Sequence, residues 1–222
     1  MDILVVDIGG TNVKLLASNQ EKRRKFASGP KLTPEALVDG VLRTASDWQF
    51  DRVTVGVPAM VREGQVALDP KNLGPGWVGF DFESAFGMPT KVVNDAAMQA
   101  LGSYDDGGTM LFLGLGTGLG SALVANRRVL PLECAHLPYK NGTFEDYLGE
   151  RGLEKFGKKQ WVEHVFDVTE RLRLALVADY VVIGGGNVKK LEELPTHARA
   201  GNNRFAFFGG FRLWEDAGYR AD

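Results

Sequence analysis

The sequence predicts a two-lobed α/β protein, and two observations predict it. A strand, a glycine turn carrying a threonine, and a second strand occur twice, around Gly9-Gly10-Thr11 and around Gly116-Thr117-Gly118. Between and after these units, short β-prone runs alternate with stretches whose apolar residues recur at helical spacing. A repeated unit of this kind suggests two similar halves facing each other, each offering a glycine turn. The 222 residues suffice for one large domain or two small ones with real cores. Asp105-Asp-Gly-Gly108 reads as the turn between the halves, which gives lobes at 1–105 and 106–222.

Residues 2–8 and 12–18 read as paired strands around the first glycine turn. Glu21-Lys22-Arg23-Arg24-Lys25 reads as the solvated end of that sheet, or as a contact for a polyanion. Pro34 to Trp48 has helical spacing, with Leu37, Val41 and Leu42 on one face and Thr33 as N-cap. Arg52 to Val57 is a strand stopped by Pro58, and Val61 to Leu68 a short hairpin. Glycine and proline density makes 70–77 a loop. Phe82 to Phe86 is a short helix, and Lys91 to Asp95 a strand that ends in two polar residues. Ala96 to Tyr104 is a helix with Ala and Met on its inner face. Thr109 to Gly114 and Ser121 to Ala125 form the second strand pair, followed by a strand at Arg128 to Leu132. Residues 144–178 are mostly helical, and 179–184 form a last buried strand with a glycine exit through Asn187. Phe205 to Phe211, aromatic and glycine-rich, reads as a strand or a packed loop.

Composition excludes several classes. Hydrophobic content of 44% and charged content of 24% are those of a soluble globular chain. A net charge of −2 supplies no basic field for nucleic acid. Cys134 is the only cysteine, so there is no internal disulfide and no Cys/His set for structural zinc. No apolar stretch reaches membrane-spanning length, and the chain opens directly on a strand. The expectation is a cytoplasmic enzyme or binding protein with neither membrane nor nucleic acid as partner.

Gly9 and Gly10 have no Cβ, so the turn can be tight and its N–H groups can face a phosphate. Asp7 stands where the strand empties into that turn, placed to hold a hydrated Mg²⁺ beside the phosphate. Thr11 and Lys14 add a hydroxyl and a cation, and Asn12 completes the turn. A plain hairpin with an exposed acid is the simpler alternative. Gly116, Thr117 and Gly118 offer a second cradle. The glycines at 114, 116, 118 and 120 do not keep the dinucleotide spacing, and a strand follows them instead of a helix. Asp95, at the end of a buried strand beside a phosphate site, suits a base that takes the proton of an attacking hydroxyl; it also suits a helix cap. Glu133 and His136 are spaced to bond adjacent hydroxyls of a polyol, although a lone histidine can be purely structural. Glu145 reads as another hydroxyl contact or as a first-turn helix acid.

Together these segments resemble the ROK family of sugar kinases, which have the actin-like ATPase (ribonuclease H-like) fold with mixed sheets flanked by helices. Asp7-Ile-Gly-Gly-Thr11 and Gly114-Leu-Gly-Thr-Gly-Leu-Gly120 are similar to its two phosphate motifs, and Gly184-Gly185-Gly186-Asn187 to its adenosine-side loop. Asn94-Asp95 resembles its sugar-binding Asn and catalytic Asp. Glu133-x-x-His136 resembles its sugar motif, with Ala135 where the family has Gly, and Glu145 falls where it places a further sugar-contacting Glu. Asn72-Leu-Gly-Pro-Gly-Trp77 and the run Ile183 to Lys190 are similar to the polyphosphate glucokinase branch. The resemblance implies a hexose kinase acting on glucose, with Asp95 as base and Asn72, Asn94, Glu133, His136 and Glu145 reading the sugar. It also implies Mg²⁺ at Asp7 through water, polyphosphate or ATP as donor, no zinc, and a homodimer. Lys155, Lys158, Lys159, Lys189 and Lys190 are candidates for a polyanion path. The stretch between Glu145 and the exit loop is short for the family, and no helix-turn-helix precedes the first strand, against a repressor. The rival readings are a kinase for another hexose or an N-acylhexosamine, a non-catalytic sugar sensor, and a dinucleotide enzyme.

Overall fold

The structure is a computed structural model that describes residues 1–215 and 218–221. The first half runs β1 (Ile3–Ile8), β2 (Asn12–Ala17), β3 (Arg24–Ala27), α1 (Pro34–Thr44), β4 (Arg52–Val57), β5 (Val61–Arg62), β6 (Gln65–Val66), α2 (Phe82–Phe86), β7 (Thr90–Asn94) and α3 (Asp95–Ser103). The second runs β8 (Thr109–Leu115), β9 (Leu119–Ala125), β10 (Arg128–Leu132), a 3₁₀ turn at Cys134–His136, β11 (Pro138–Tyr139), β12 (Gly142–Thr143), α4 (Phe144–Leu148) and α5 (Glu150–Ala175). It ends with β13 (Tyr180–Gly184), a 3₁₀ turn at Val188–Lys190, β14 (Ala198–Ala200), α6 (Phe205–Arg212) and β15 (Arg220–Ala221).

The repeat seen in the sequence is a repeat of topology. The first sheet has the order β3-β2-β1-β4-β7, and the second contains β10-β9-β8-β13-β14 with β15 added beyond β10. In each, three consecutive strands pair antiparallel and two later ones join in parallel on the far side. Central position explains the composition of β1: all six residues are buried, because both faces of the sheet are covered. Its alternate side chains reach opposite faces. Leu4, Val6 and Ile8 join the outer core with Trp77 and Phe82, whereas Ile3 and Val5 face the core between the sheets. In β8, likewise, Met110 and Phe112 face inward while Leu111, Leu113 and Leu115 pack outward with Trp161 of α5.

Local signals account for most boundaries. The Thr33 hydroxyl accepts from Ala36 N–H and Pro34 opens α1. That helix stops at Thr44 and not at Trp48, where Arg24 donates to the Thr44 carbonyl and pairs with Asp47. Trp48 still reaches the core through a turn. The β5–β6 hairpin turns on Glu63 and Gly64, both at positive φ. Thr143 and Asp146 form a capping box at α4. In α5, Gly157 at φ 71° kinks the helix.

The expectation of a strand or loop at Phe205 to Phe211 is corrected: the segment is helix α6. It lies with α3 between the two sheets and touches β1 and β4. A Cβ at Gly209 would overlap the Met98 carbonyl, and one at Gly102 the Phe205 carbonyl, so the two helices cross backbone to backbone. The Thr54 hydroxyl in β4 donates to the Gly210 carbonyl at 2.9 Å and accepts from the Trp214 indole at 2.8 Å. Tertiary contact, not helix propensity, makes this helix.

Candidate active site

Small residues bring the N-terminus of α3 between the two glycine turns. A Cβ at Gly56 of β4 would overlap Met98 and stand 3.6 Å from the Asp95 Cα; one at Gly120 of β9 would stand 2.9 Å from the Ala96 Cβ. Asp95 thus emerges at the floor of a cavity of about 340 Å³, within the range of small-molecule sites. Gly9 and Gly10 line it from the first half, and Gly116, Thr117, Gly118 and Gly185 from the second. Asn72, Asn94, Glu133 and Glu145 complete its polar wall.

The residue that caps α3 is Asn94, not Asp95. The Asn94 Oδ1 accepts from Ala97 N–H at 3.0 Å, and its amide donates to the Ala59 carbonyl at 3.0 Å. One amide hydrogen of Asn94 is left over from these two bonds. Asp95 is the first residue of the helix, with Oδ1 accepting from Ala96 N–H at 2.8 Å. Burial, and then the nearby Asp7 charge, push its carboxyl up to about 7. The Ala96 N–H and Lys14 oppose that shift without cancelling it. A carboxyl that changes protonation near neutral pH in a cleft is suited to general base work.

The two turns differ from the sequence expectation in their detail. Gly9 N–H donates to the Asn12 carbonyl at 3.0 Å and Gly116 N–H to the Gly118 carbonyl at 3.1 Å, so these amides close the turns themselves. Open space lies where a Cβ would stand on Gly10, Gly116 and Gly186. Thr11 and Thr117 are exposed at the tips. Lys14, expected to meet phosphate, is the cross-strand partner of Asp7 and pairs with it at 2.8 Å. Gly184 is a buried strand residue packed on Phe112, and Asn187 donates to the Gly116 carbonyl at 3.3 Å, so both shape the loop from behind. Gly185, at φ 85°, lies against Leu115, where a side chain would collide.

His136 is half exposed and does not line the cavity; its ring nitrogen stands 3.9 Å from Glu133 at the rim. Ala135 is buried in the 3₁₀ turn, where no positive φ demands glycine. Two site residues escape the sequence reading. Gln99 lines the cavity and donates to Asn203 at 3.3 Å; its position four residues after Asp95 on one helix face was the available signal. Arg151 approaches Glu145 at 3.8 Å. Among the described residues no cluster of three or more His, Cys, Asp or Glu is arranged around a metal. Asp7 has the carboxylate that Mg²⁺ takes beside substrate phosphates, but it is buried, pairs with Lys14 and is not among the residues that line the cavity.

A second cavity of about 800 Å³ shares Gly185 with the first. Lys22 and Arg23 line it from the β2–β3 connection, facing Gly186, Lys189 and Arg204. The basic run is therefore exposed but also one wall of a cleft. Of the other lysines proposed for a polyanion path, Lys155, Lys158, Lys159 and Lys190 do not line it, and Lys158 pairs with Glu192.

The model of the ROK family matches residues 3–131, more than half of the chain. The polyphosphate glucokinase of Mycobacterium leprae is 24% identical over 84% of this chain, and the match spans 64% of that protein's length. The polyphosphate glucokinase of Mycobacterium tuberculosis strain H37Ra is 25% identical over 85% of this chain and 78% of its own. Among solved structures, the inorganic polyphosphate/ATP-glucomannokinase of Arthrobacter sp. strain KM superposes with a TM-score of 0.82 at 20% identity, over 94% of this chain and 96% of that one. A ROK family glucokinase of Streptomyces griseus, in complex with glucose and AMPPNP, gives 0.73 at 17% identity, over 96% and 99%. The fold is accordingly the two-lobed actin-like ATPase fold expected from the sequence.

Proposed function

The chain belongs to the ROK family, and from that premise we propose that it is a hexose kinase with glucose as substrate. The carrying observation is the convergence of both glycine turns, Asp95 and the Asn72, Asn94, Glu133 and Glu145 side chains on one cavity. The sugar 6-hydroxyl oxygen would attack the terminal phosphorus of the donor, its proton passing to the Asp95 carboxylate as the bond to the leaving phosphate breaks. Glu133 and Glu145 would accept from other hydroxyls, and the remaining amide hydrogen of Asn94 would donate. His136 would orient Glu133 from the rim. Thr11, Thr117 and the turn amides would steady the developing charge. Mg²⁺ held through water at Asp7 would neutralise charge on the donor phosphates. Lobes 1–105 and 106–222 would close on the cleft. A homodimer and a cytoplasmic setting belong to the same reading; no helix among the described residues is long and apolar enough to cross a membrane.

For the donor, the second cavity supports a polyanion. Lys22, Arg23, Lys189 and Arg204 face it against the one carboxylate of Glu21. Polyphosphate and ATP both satisfy that chemistry. Replacing Lys22 and Arg23 by Gln is expected to raise the polyphosphate KM roughly tenfold, at about 0.7 kcal/mol per lost contact, and to leave the glucose KM unchanged. An unchanged polyphosphate KM would remove the cleft from the donor path.

The test of the whole reading is phosphate transfer to glucose with Mg²⁺, run in parallel with ATP and polyphosphate and repeated with other hexoses and an N-acylhexosamine. Transfer to glucose at about 1–100 s⁻¹ is expected. Much faster transfer to mannose, fructose or the hexosamine would replace the substrate. Sugar binding without transfer from either donor would favour a sensor.

A further inference from the structure

The segment that carries Glu145 also grips the second glycine turn. Glu145 Oε2 accepts from the Leu119 N–H at 3.3 Å, where the turn becomes β9. Glu150 N–H donates to the Thr117 carbonyl at 3.2 Å. Two glycines permit this contact. A Cβ on Gly118 would overlap the Glu145 carboxylate, and one on Gly149 would stand 2.9 Å from the Thr117 carbonyl. The rest of the α4–α5 junction is anchored elsewhere, by the Thr143–Asp146 capping box and by the Trp161 indole donating to the Leu148 carbonyl at 2.9 Å. The backbone beneath Glu145 is thus fixed, while among the described residues the second carboxylate oxygen has a 3.8 Å approach from the exposed Arg151. Glu145 also lines the cavity shared by Asp95 and Glu133.

We infer that Glu145 is a positioning residue that couples the two substrates: a sugar hydroxyl taken by its loosely held oxygen fixes the carboxylate, which fixes the second phosphate turn through Leu119. The inference rests on the kinase reading above. A side chain ordered by the first ligand need not be ordered again by the second, so the second binds more tightly. Linkage requires the effect to be mutual.

Binding of ATP, and separately of inorganic polyphosphate, measured by titration calorimetry with and without saturating 6-deoxyglucose, tests this, because that sugar lacks the accepting hydroxyl and no transfer follows. The sugar is expected to lower the donor Kd about fivefold, and the donor to lower the sugar Kd by the same factor. Glu145→Ala should bring the factor to about one. Glu145→Gln should restore it, since its amide oxygen can still accept from Leu119 N–H and its amide nitrogen can donate to the sugar hydroxyl oxygen in place of accepting from it. A factor that survives in Glu145→Ala, or that Glu145→Gln fails to restore, overturns the coupling role, as does a loss of thermal stability with the factor intact. Wild-type protein that phosphorylates glucose without any coupling overturns this inference alone. Wild-type protein that transfers phosphate to no sugar overturns the kinase reading and the inference with it.

Discussion

Asp95→Asn is expected to lower kcat for glucose phosphorylation by at least about 100-fold, the typical contribution of a positioned general base. The substitution keeps size and shape, and its amide oxygen can still accept from Ala96 N–H, so the helix start should survive. The glucose KM should change by less than about threefold, because the lost interaction belongs to the transition state. The pH profile supplies an independent check. Burial and the Asp7 charge both favour the protonated form of Asp95 and raise its pKa to about 7. A base must be unprotonated to act, so wild-type kcat/KM should fall about tenfold per pH unit below that value and level off above it. The residual rate of Asp95→Asn should lack this limb. A variant with wild-type kcat would remove Asp95 from the chemistry.

The second large effect concerns stability. Gly209→Ala places a methyl group into the Met98 carbonyl and 2.9 Å from the Gly102 nitrogen. Backbone cannot yield as a flexible side chain does, so the helices must separate. A loss of about 3 kcal/mol or more is expected, a fall of roughly 10 °C in Tm. Gly107→Ala is the control: open space lies there, and its effect should stay within about 0.5 kcal/mol. Equal melting of the two variants would show that the crossing tolerates separation.

The glycine-turn hairpins, α1 with its Thr33 cap, the body of α3 and the repeat were legible because each is encoded locally, by turn residues, caps and apolar period; the cap of α3 fell on Asn94 where Asp95 was the candidate. Helix α6 was not legible. Phe-Ala-Phe-Phe-Gly-Gly-Phe-Arg has the glycines of a loop and the aromatics of a strand, and its helicity comes from partners more than a hundred residues away. In the site, residue types were legible and their partners were not. Lys14 turns to Asp7 because strand register sets them opposite. Asn187 turns inward to Gly116, a contact across 71 positions that no local pattern carries. His136 faces out because the 3₁₀ turn buries Cys134 and Ala135 instead. Lys22 and Arg23 read as a solvated tip, yet the opposite wall of their cleft comes from the end of the chain.

The placement of α6 has a consequence for synthesis. The face of the first sheet that carries Ile3 and Val5 is covered by α3 and by residues made much later, Ala206 to Gly210 among them. A ribosome adding about 5–20 residues per second reaches α6 on the order of ten seconds after completing β4. Through that interval β1 to β4, and then β7, can pair while this face has α3 but not α6 against it. For that time the face lacks its second helix, and the first half of the chain reaches its finished packing only when α6 is made.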